Sequence, residues 1–215
     1  MKALLDCRLY TFIDTAYLHG HHPADVARQL CDGGSDIIQL RAKKESSAEI
    51  EAMAKAILPI TRAAGVPLVI NDFPEVARNV GAQCVHLGQE DFFDAGFTQR
   101  SQVPALELQT WLGLSSHAPE QAKRAVEAGA DYVAVGPVFA TGTKPGRAPV
   151  TLEYVRWAAA NIKVPWFAIG GITFQNLDDL KRAGATRICV VSAILNASDI
   201  AAACGEFKKR LETNI

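Results

Sequence analysis

Glu127-Ala-Gly-Ala-Asp-Tyr-Val-Ala-Val135 decides how this chain is read. A helical ending gives way at Gly129 to the left-handed residue that closes a helix, and a short, β-branched apolar run follows at once. The same helix, turn and strand recur over residues 30–40, 63–71, 79–87 and 182–190, with Gly34, Gly65, Gly81 and Gly184 at the turns. Five copies of one supersecondary step mean repeated βα units.

Further strands are expected near residues 8–13, 110–114 and 165–169, which brings the total to eight. Helices are expected at 24–30, 47–62, 119–127, 152–160 and 175–182. Several strands are apolar on successive residues, as a parallel sheet covered by helices requires. Eight such units in about 200 residues fit a closed α/β architecture, the (β/α)8 TIM barrel, better than an open doubly wound sheet. The fourth unit is irregular: residues 92–107 lack a helical period and carry extra Gly, Pro and Ser, so a short or distorted helix is expected there. Composition does not shift along the chain, and residues 1–215 are read as one catalytic domain.

With 49% hydrophobic and 21% charged residues and a formal net charge of −1, the chain has the balance of a soluble protein and no basic face for nucleic acid or an anionic membrane. No apolar run approaches the roughly 18 residues of a membrane span, and the N-terminus meets an acid too early for a signal peptide; a cytoplasmic location is expected. Oligomeric state is left open, a homo-oligomer being compatible with the sequence. Cys7, Cys31, Cys84, Cys189 and Cys204 are odd in number and widely spaced, which argues for reduced core thiols.

In a barrel, chemistry sits where the strands end at their C-terminal side. Strand two is followed by Gln39, Arg41 and Lys43, strand three by Asn71 and Asp72, and strand four by Gln89, Glu90 and Asp91. Strand five is followed by Ser115, Ser116 and His117, strand six by Thr141, Thr143 and Lys144, strand seven by Gly170 and Gly171, and strand eight by Ser192. Asp72 and Asp91 are placed to share one Mg2+, which is commonly held by one or two carboxylates with water and phosphate completing its shell. Arg41, Lys43 and Lys144 would face the phosphate oxygens. Helix capping is the competing reading of either aspartate. Gly171, Val191 and Ser192 suit a second phosphate held by backbone amides, with a tight turn as the rival reading of Gly170-Gly171.

Some patterns are set aside. The run from Gly136 to Lys144 is one residue too long for a P-loop, and Pro145 follows where a helix should begin. His19, His21 and His22 read as a solvated turn, His86 as a core residue, and His117 as either a substrate-orienting group or a neighbour of a helix cap.

Gln39-Leu-Arg-Ala-Lys43, Asn71-Asp72, His86-Leu-Gly-Gln-Glu-Asp91, Gly113-Leu-Ser-Ser-His117, Gly136-Pro-Val-Phe-Ala-Thr-Gly-Thr-Lys144, Ile169-Gly-Gly-Ile172 and Val191-Ser192 together resemble the thiamine phosphate synthase family. The resemblance implies a transferase that couples hydroxymethylpyrimidine diphosphate to hydroxyethylthiazole phosphate, releasing diphosphate. It implies that the segment Gln39, Leu40, Arg41, Ala42 and Lys43, with Asn71 and Lys144, binds the pyrimidine diphosphate. Asp72 and Asp91 would hold Mg2+, and Ser115 would contact the pyrimidine. Thr141, Gly142 and Thr143, with Gly171, Val191 and Ser192, would take the thiazole phosphate. Arg41, Ser115 and Lys144 would serve the bond-breaking step, in which the C–O bond opens first and the thiazole nitrogen captures a pyrimidine methylene cation. The loop carrying Gly142 and Gly146 is expected to close over both substrates. Phe73 departs from the family, where a polar residue is common, as does the long 92–107 segment. Two alternatives remain: a thiazole tautomerase of the related barrel family working through His117, and a non-catalytic barrel that binds thiamine phosphates.

Overall fold

The glycines that end the five repeats all carry positive φ, from 69° to 98°, so each helix stops where the sequence says it must. The computed structural model describes residues 2–140 and 149–213. Its strands are β1 (Leu9–Asp14), β2 (Ile37–Arg41), β3 (Leu68–Asn71), β4 (Cys84–Leu87), β5 (Trp111–Ser116), β6 (Tyr132–Val135), β7 (Trp166–Ile169) and β8 (Ile188–Val190). All are parallel and pair in chain order, and β1 pairs with β8 to close the barrel. The helices are α1 (Pro23–Asp32), α2 (Ser47–Ala63), α3 (Pro74–Val80), α4 (Pro119–Glu127), α5 (Thr151–Asn161), α6 (Leu177–Arg182), α7 (Ser192–Leu195) and α8 (Ile200–Glu212). The (β/α)8 architecture read from the sequence is the one observed.

The strands are buried on both faces, and their pleat sorts side chains between two cores. Outward residues such as Leu40 pack against the helices, whereas Tyr10, Tyr132 and Phe167 meet inside the barrel with ring centroids 5.4 to 5.9 Å apart. The fourth unit is irregular, as its composition predicts. A single π-helical turn, Glu90–Asp94, is pinned by the fully buried Phe92, and a 3-10 turn, Arg100–Gln102, follows. Arg100 replaces the missing helix contacts by donating to Asp131 Oδ2 at 2.9 Å and to the Thr110 carbonyl at 2.7 Å.

The opposite end of the barrel is clamped by Asp36. Its carboxylate accepts from the Arg8 and Leu9 amides at 2.8 and 2.9 Å, from Lys208 Nζ at 2.7 Å, and from Lys2. The chain's start, β1 and α8 thereby meet on one group. Burial works to raise its pKa, yet the bonds from Lys2, Lys208 and the two amides hold it below the ordinary 3.8. A depressed carboxyl pKa stabilises the fold above the unfolded value and loses that contribution as pH falls through the folded one. Asp36→Asn is expected to cost about 2 kcal/mol in urea unfolding at pH 7, the size of one or two charge-assisted hydrogen bonds. The difference from wild type should narrow once the pH drops below about 4.

Candidate active site

The strand ends surround a cavity of about 660 Å³. Two of them supply an ion pair that the list of polar strand ends passed over. Asp14 closes β1 in register with Arg41 on β2, and Arg41 Nη1 donates to Asp14 Oδ2 at 2.8 Å. The other oxygen of Asp14 accepts the Ala16 amide at 3.0 Å. Asp14 is 1% exposed, so it fixes one arm of the guanidinium in place while Arg41 still lines the cavity.

Next on the wall stand the two carboxylates. Asp72 has φ 65°, a left-handed backbone that aspartate tolerates better than most residues. Its Oδ2 accepts from Asn71 Nδ2 at 2.6 Å and from Lys43. Asp91 rides on the π-helical turn. Gly88 makes room for it, since a Cβ there would lie 2.8 Å from Asp91 Oδ2. Burial, and then the adjoining Asp91, push the Asp72 carboxyl above its ordinary value against the pull of Lys43. Among the described residues no third His, Cys, Asp or Glu joins them in a metal-binding group. Two touching carboxylates with no third protein ligand fit a hard cation that keeps water and phosphate in its shell.

The floor is polar but buried. His86 Nε2 lies 3.0 Å from Ser115 Oγ and its Nδ1 lies 3.2 Å from the Tyr132 hydroxyl. A serine beside a histidine resembles a nucleophile and its base, but the group at Nδ1 is a phenol, where that arrangement needs a carboxylate to stabilise an imidazolium. Cys189 also lines the cavity, and burial pushes its thiol well above the ordinary value, which removes a thiolate nucleophile.

The far wall comes from β7 and β8. The segment after β6 runs against it: Val138 donates to Ile169 O at 2.8 Å and Phe139 to Gly170 O at 3.1 Å. A Cβ on Gly170 would lie 2.4 Å from Pro137 Cβ, and one on Gly171 would lie 2.4 Å from Ala140 O. The glycine pair therefore serves close backbone approach as well as turning. It does not open a helix directly, because α6 starts only at Leu177. Asn176 closes the intervening loop, accepting the Thr173 amide and donating to Gly171 O, both at 2.8 Å. Val191 and Ser192 complete this wall where α7 begins.

Gln39, Arg41, Lys43, Asn71, Asp72, Asp91, Ser115, Gly171, Val191 and Ser192 thus line one cavity, as does His117. Leu40 and Ala42 do not: they sit in the apolar core at 1% and 3% exposure, because the pleat turns alternate residues outward. Thr141, Gly142, Thr143 and Lys144, and with them the expected lid, lie outside the described residues. His22 Nδ1 caps α1 by accepting the Ala24 amide, and His19 pairs with Asn196 at 2.8 Å, so these two histidines serve structural contacts. His86 is buried, as expected of a core residue, yet it faces the cavity. Asp14, Tyr10 and Tyr132 are the residues sequence reasoning missed. The signal for Asp14 was available: it is the polar end of strand one.

Fold and cavity define a (β/α)8 barrel with its site at the C-terminal strand ends, a cationic and anionic lobe on one side and a glycine-walled lobe on the other. Residues 9–194 match the family model described as thiamine monophosphate synthase. A thiamine-phosphate synthase of Thermus thermophilus is 46% identical over 187 residues, covering 83% of this chain and 84% of that protein. One of Halalkalibacterium halodurans is 36% identical over 208 residues, covering 96% of each. The solved thiamine phosphate pyrophosphorylase from Pyrococcus furiosus superposes with a TM-score of 0.82 at 29% identity, covering 96% of each chain. The chain belongs to the thiamine monophosphate synthase family, and it is an enzyme of that transferase type.

The packing at Gly171 gives a test. Gly171→Ala is expected to cost roughly 3 kcal/mol in chemical denaturation, a left-handed alanine plus a backbone clash. Gly65→Ala, with φ 69° but nothing within 4 Å of the added Cβ, should cost only about 1 kcal/mol.

Proposed function

We propose that this chain couples hydroxymethylpyrimidine diphosphate to hydroxyethylthiazole phosphate, giving thiamine phosphate and diphosphate, in the presence of Mg2+. The observation that carries the reading is the contact between Asp72 and Asp91 beside Lys43 and Arg41 on the same cavity wall. Two carboxylates held together beside two cations are suited to a diphosphate that arrives with a divalent ion. Mg2+, held by Asp72 and Asp91, would neutralise charge on the departing diphosphate.

Arg41, steadied by Asp14, and Lys43 take the diphosphate oxygens, with Asn71 beside them and Lys144 assigned to the same group. Lys43 exchanges its bond to Asp72 for the incoming phosphate, which frees the carboxylate for the cation. Gln39 and Ser115 hold the pyrimidine ring at the floor. Gly171, Val191 and Ser192 present backbone amides to the thiazole phosphate, together with Thr141, Gly142 and Thr143. The C–O bond to diphosphate opens first, and the thiazole nitrogen then captures the methylene cation. Such a step asks the protein for charge neutralisation, alignment and exclusion of water, and needs no protein nucleophile. The high-pKa Cys189 thiol and the phenol-backed Ser115 and His86 agree with that demand.

Incubating the protein with both substrates and Mg2+ should yield thiamine phosphate and one equivalent of diphosphate. Chelation should abolish turnover, and Asp72→Ala should lower kcat/KM by at least about a hundredfold, the scale of losing a principal electrostatic contribution. Undiminished coupling under either condition would sink the metal assignment. Isomerisation of a thiazole phosphate without release of diphosphate would replace the reading with a tautomerase.

A further inference from the structure

Beneath the cavity, five side chains from five strands form a continuous hydrogen-bonded chain. Gln39 Nε2 donates to the Tyr10 hydroxyl, and Tyr10 Oη lies 2.9 Å from Tyr132 Oη. Tyr132 Oη lies 3.2 Å from His86 Nδ1, and His86 Nε2 lies 3.0 Å from Ser115 Oγ. Tyr10 and Tyr132 are completely buried, and Gln39, His86 and Ser115 are at most 7% exposed. The two ends of the chain, Gln39 and Ser115, are the residues assigned to the pyrimidine.

A buried chain of this kind has one direction, because each hydroxyl carries a single proton and an unmatched link away from water is expensive. Tyr10 Oη accepts the hydrogen bond from Gln39 Nε2, so its own hydrogen points to Tyr132. Tyr132 then spends its proton on His86 Nδ1. The neutral imidazole is left with its hydrogen on Nε2, where it donates to Ser115 Oγ, and the Ser115 hydroxyl proton turns to the cavity. At the other end, committing Gln39 Nε2 to Tyr10 leaves Oε1 for the ligand. Burial keeps both phenols protonated far above neutral pH, so neither drops out of the relay.

We propose that this chain sets the hydrogen-bond polarity of the site: an acceptor at Gln39 and a donor at Ser115, selecting an aminopyrimidine with an unprotonated ring nitrogen over its oxo isostere. Tyr10, Tyr132 and His86 are positioning residues in this scheme, acting through Gln39 and Ser115. The choice of ligand rests on the function proposed above, whereas the direction of the chain does not. In a 4-oxo pyrimidine the exocyclic group accepts and the adjacent ring nitrogen donates, so both polarities are inverted. A site built around a fixed donor and acceptor rejects such an inversion strongly.

Gly113 shows that the fold makes room for this arrangement. It is the register partner of Tyr132 across β5 and β6, and a Cβ at 113 would lie 2.1 Å from Tyr132 Cζ. The phenol reaches His86 because the neighbouring strand has no side chain there.

Two measurements test the proposal. In 15N-histidine NMR of the wild-type protein, with His86 assigned through its own backbone resonances, the ring should be the neutral Nε2–H tautomer at pH 7.5. In Tyr132→Phe it should lose that single tautomer. A Nδ1–H or doubly protonated ring in the wild type overturns the proposal, and this reading needs no variant to fold. By calorimetry, the wild type should bind the 4-amino pyrimidine diphosphate about a hundredfold or more tighter than the 4-oxo compound. In folded Tyr132→Phe and Tyr10→Phe the ratio should fall below about tenfold, while inorganic diphosphate binds as in the wild type. Wild-type discrimination retained in both variants overturns the selecting role. A protein that makes no thiamine phosphate yet shows the Nε2–H tautomer keeps the chain's direction and discards the substrate; turnover with the opposite tautomer does the reverse.

Discussion

Two neighbouring carboxylates, Asp72 half-buried and Asp91 at the exposed rim, are the constraint around which much of the site is organised. Asp72 is set in a left-handed backbone and tied to Asn71 and Lys43, while Asp91 is carried by a π-helical turn nailed down by Phe92. Burial, and then the neighbouring Asp91, raise the Asp72 carboxyl against the pull of Lys43. Strain and like charge persist at a site only where surrounding structure over-determines them. Here the surroundings are the strand ends of a closed barrel, which cannot yield independently.

The barrel was legible because its signals are local and repeated. A helix end, a glycine and an apolar run specify one βα step whatever lies elsewhere, and five nearly identical copies leave little choice of topology. Most cavity-lining positions were legible for a related reason: the polar residue that follows a buried strand stands out against its neighbours. The misses have physical causes. Tyr10 and Tyr132 sit inside apolar runs, and nothing in a linear sequence separates a phenol packed as a hydrophobe from one joined to a distant histidine. Leu40 and Ala42 entered the expected binding segment because a motif is contiguous, whereas a pleated strand sends alternate residues to opposite faces. Gly170-Gly171 carried two readings, turn or phosphate cradle, and the structure adds a third demand, the close passage of the chain after β6.

The division of the cavity follows from where charge can be afforded. Among the described residues, charged side chains gather at β1 to β4, where Arg41 pairs with Asp14 and Lys43 with Asp72 across neighbouring strand ends. The β7 and β8 side offers glycine and backbone instead. One lobe therefore suits a partner that brings a counter-ion, and the other an anion taken up by amides. The polar chain at the floor draws its five side chains from β1, β2, β4, β5 and β6.

Gly113 has a consequence that reaches past its own strand. It touches no part of the proposed chemistry, yet any side chain there would displace the Tyr132 ring that backs His86. The two positions are therefore bound by epistasis: a larger residue at 113 is admissible only with a smaller one at 132. A change at position 113 of β5 therefore acts on the hydrogen-bond arrangement of the floor, and the two positions are expected to change together.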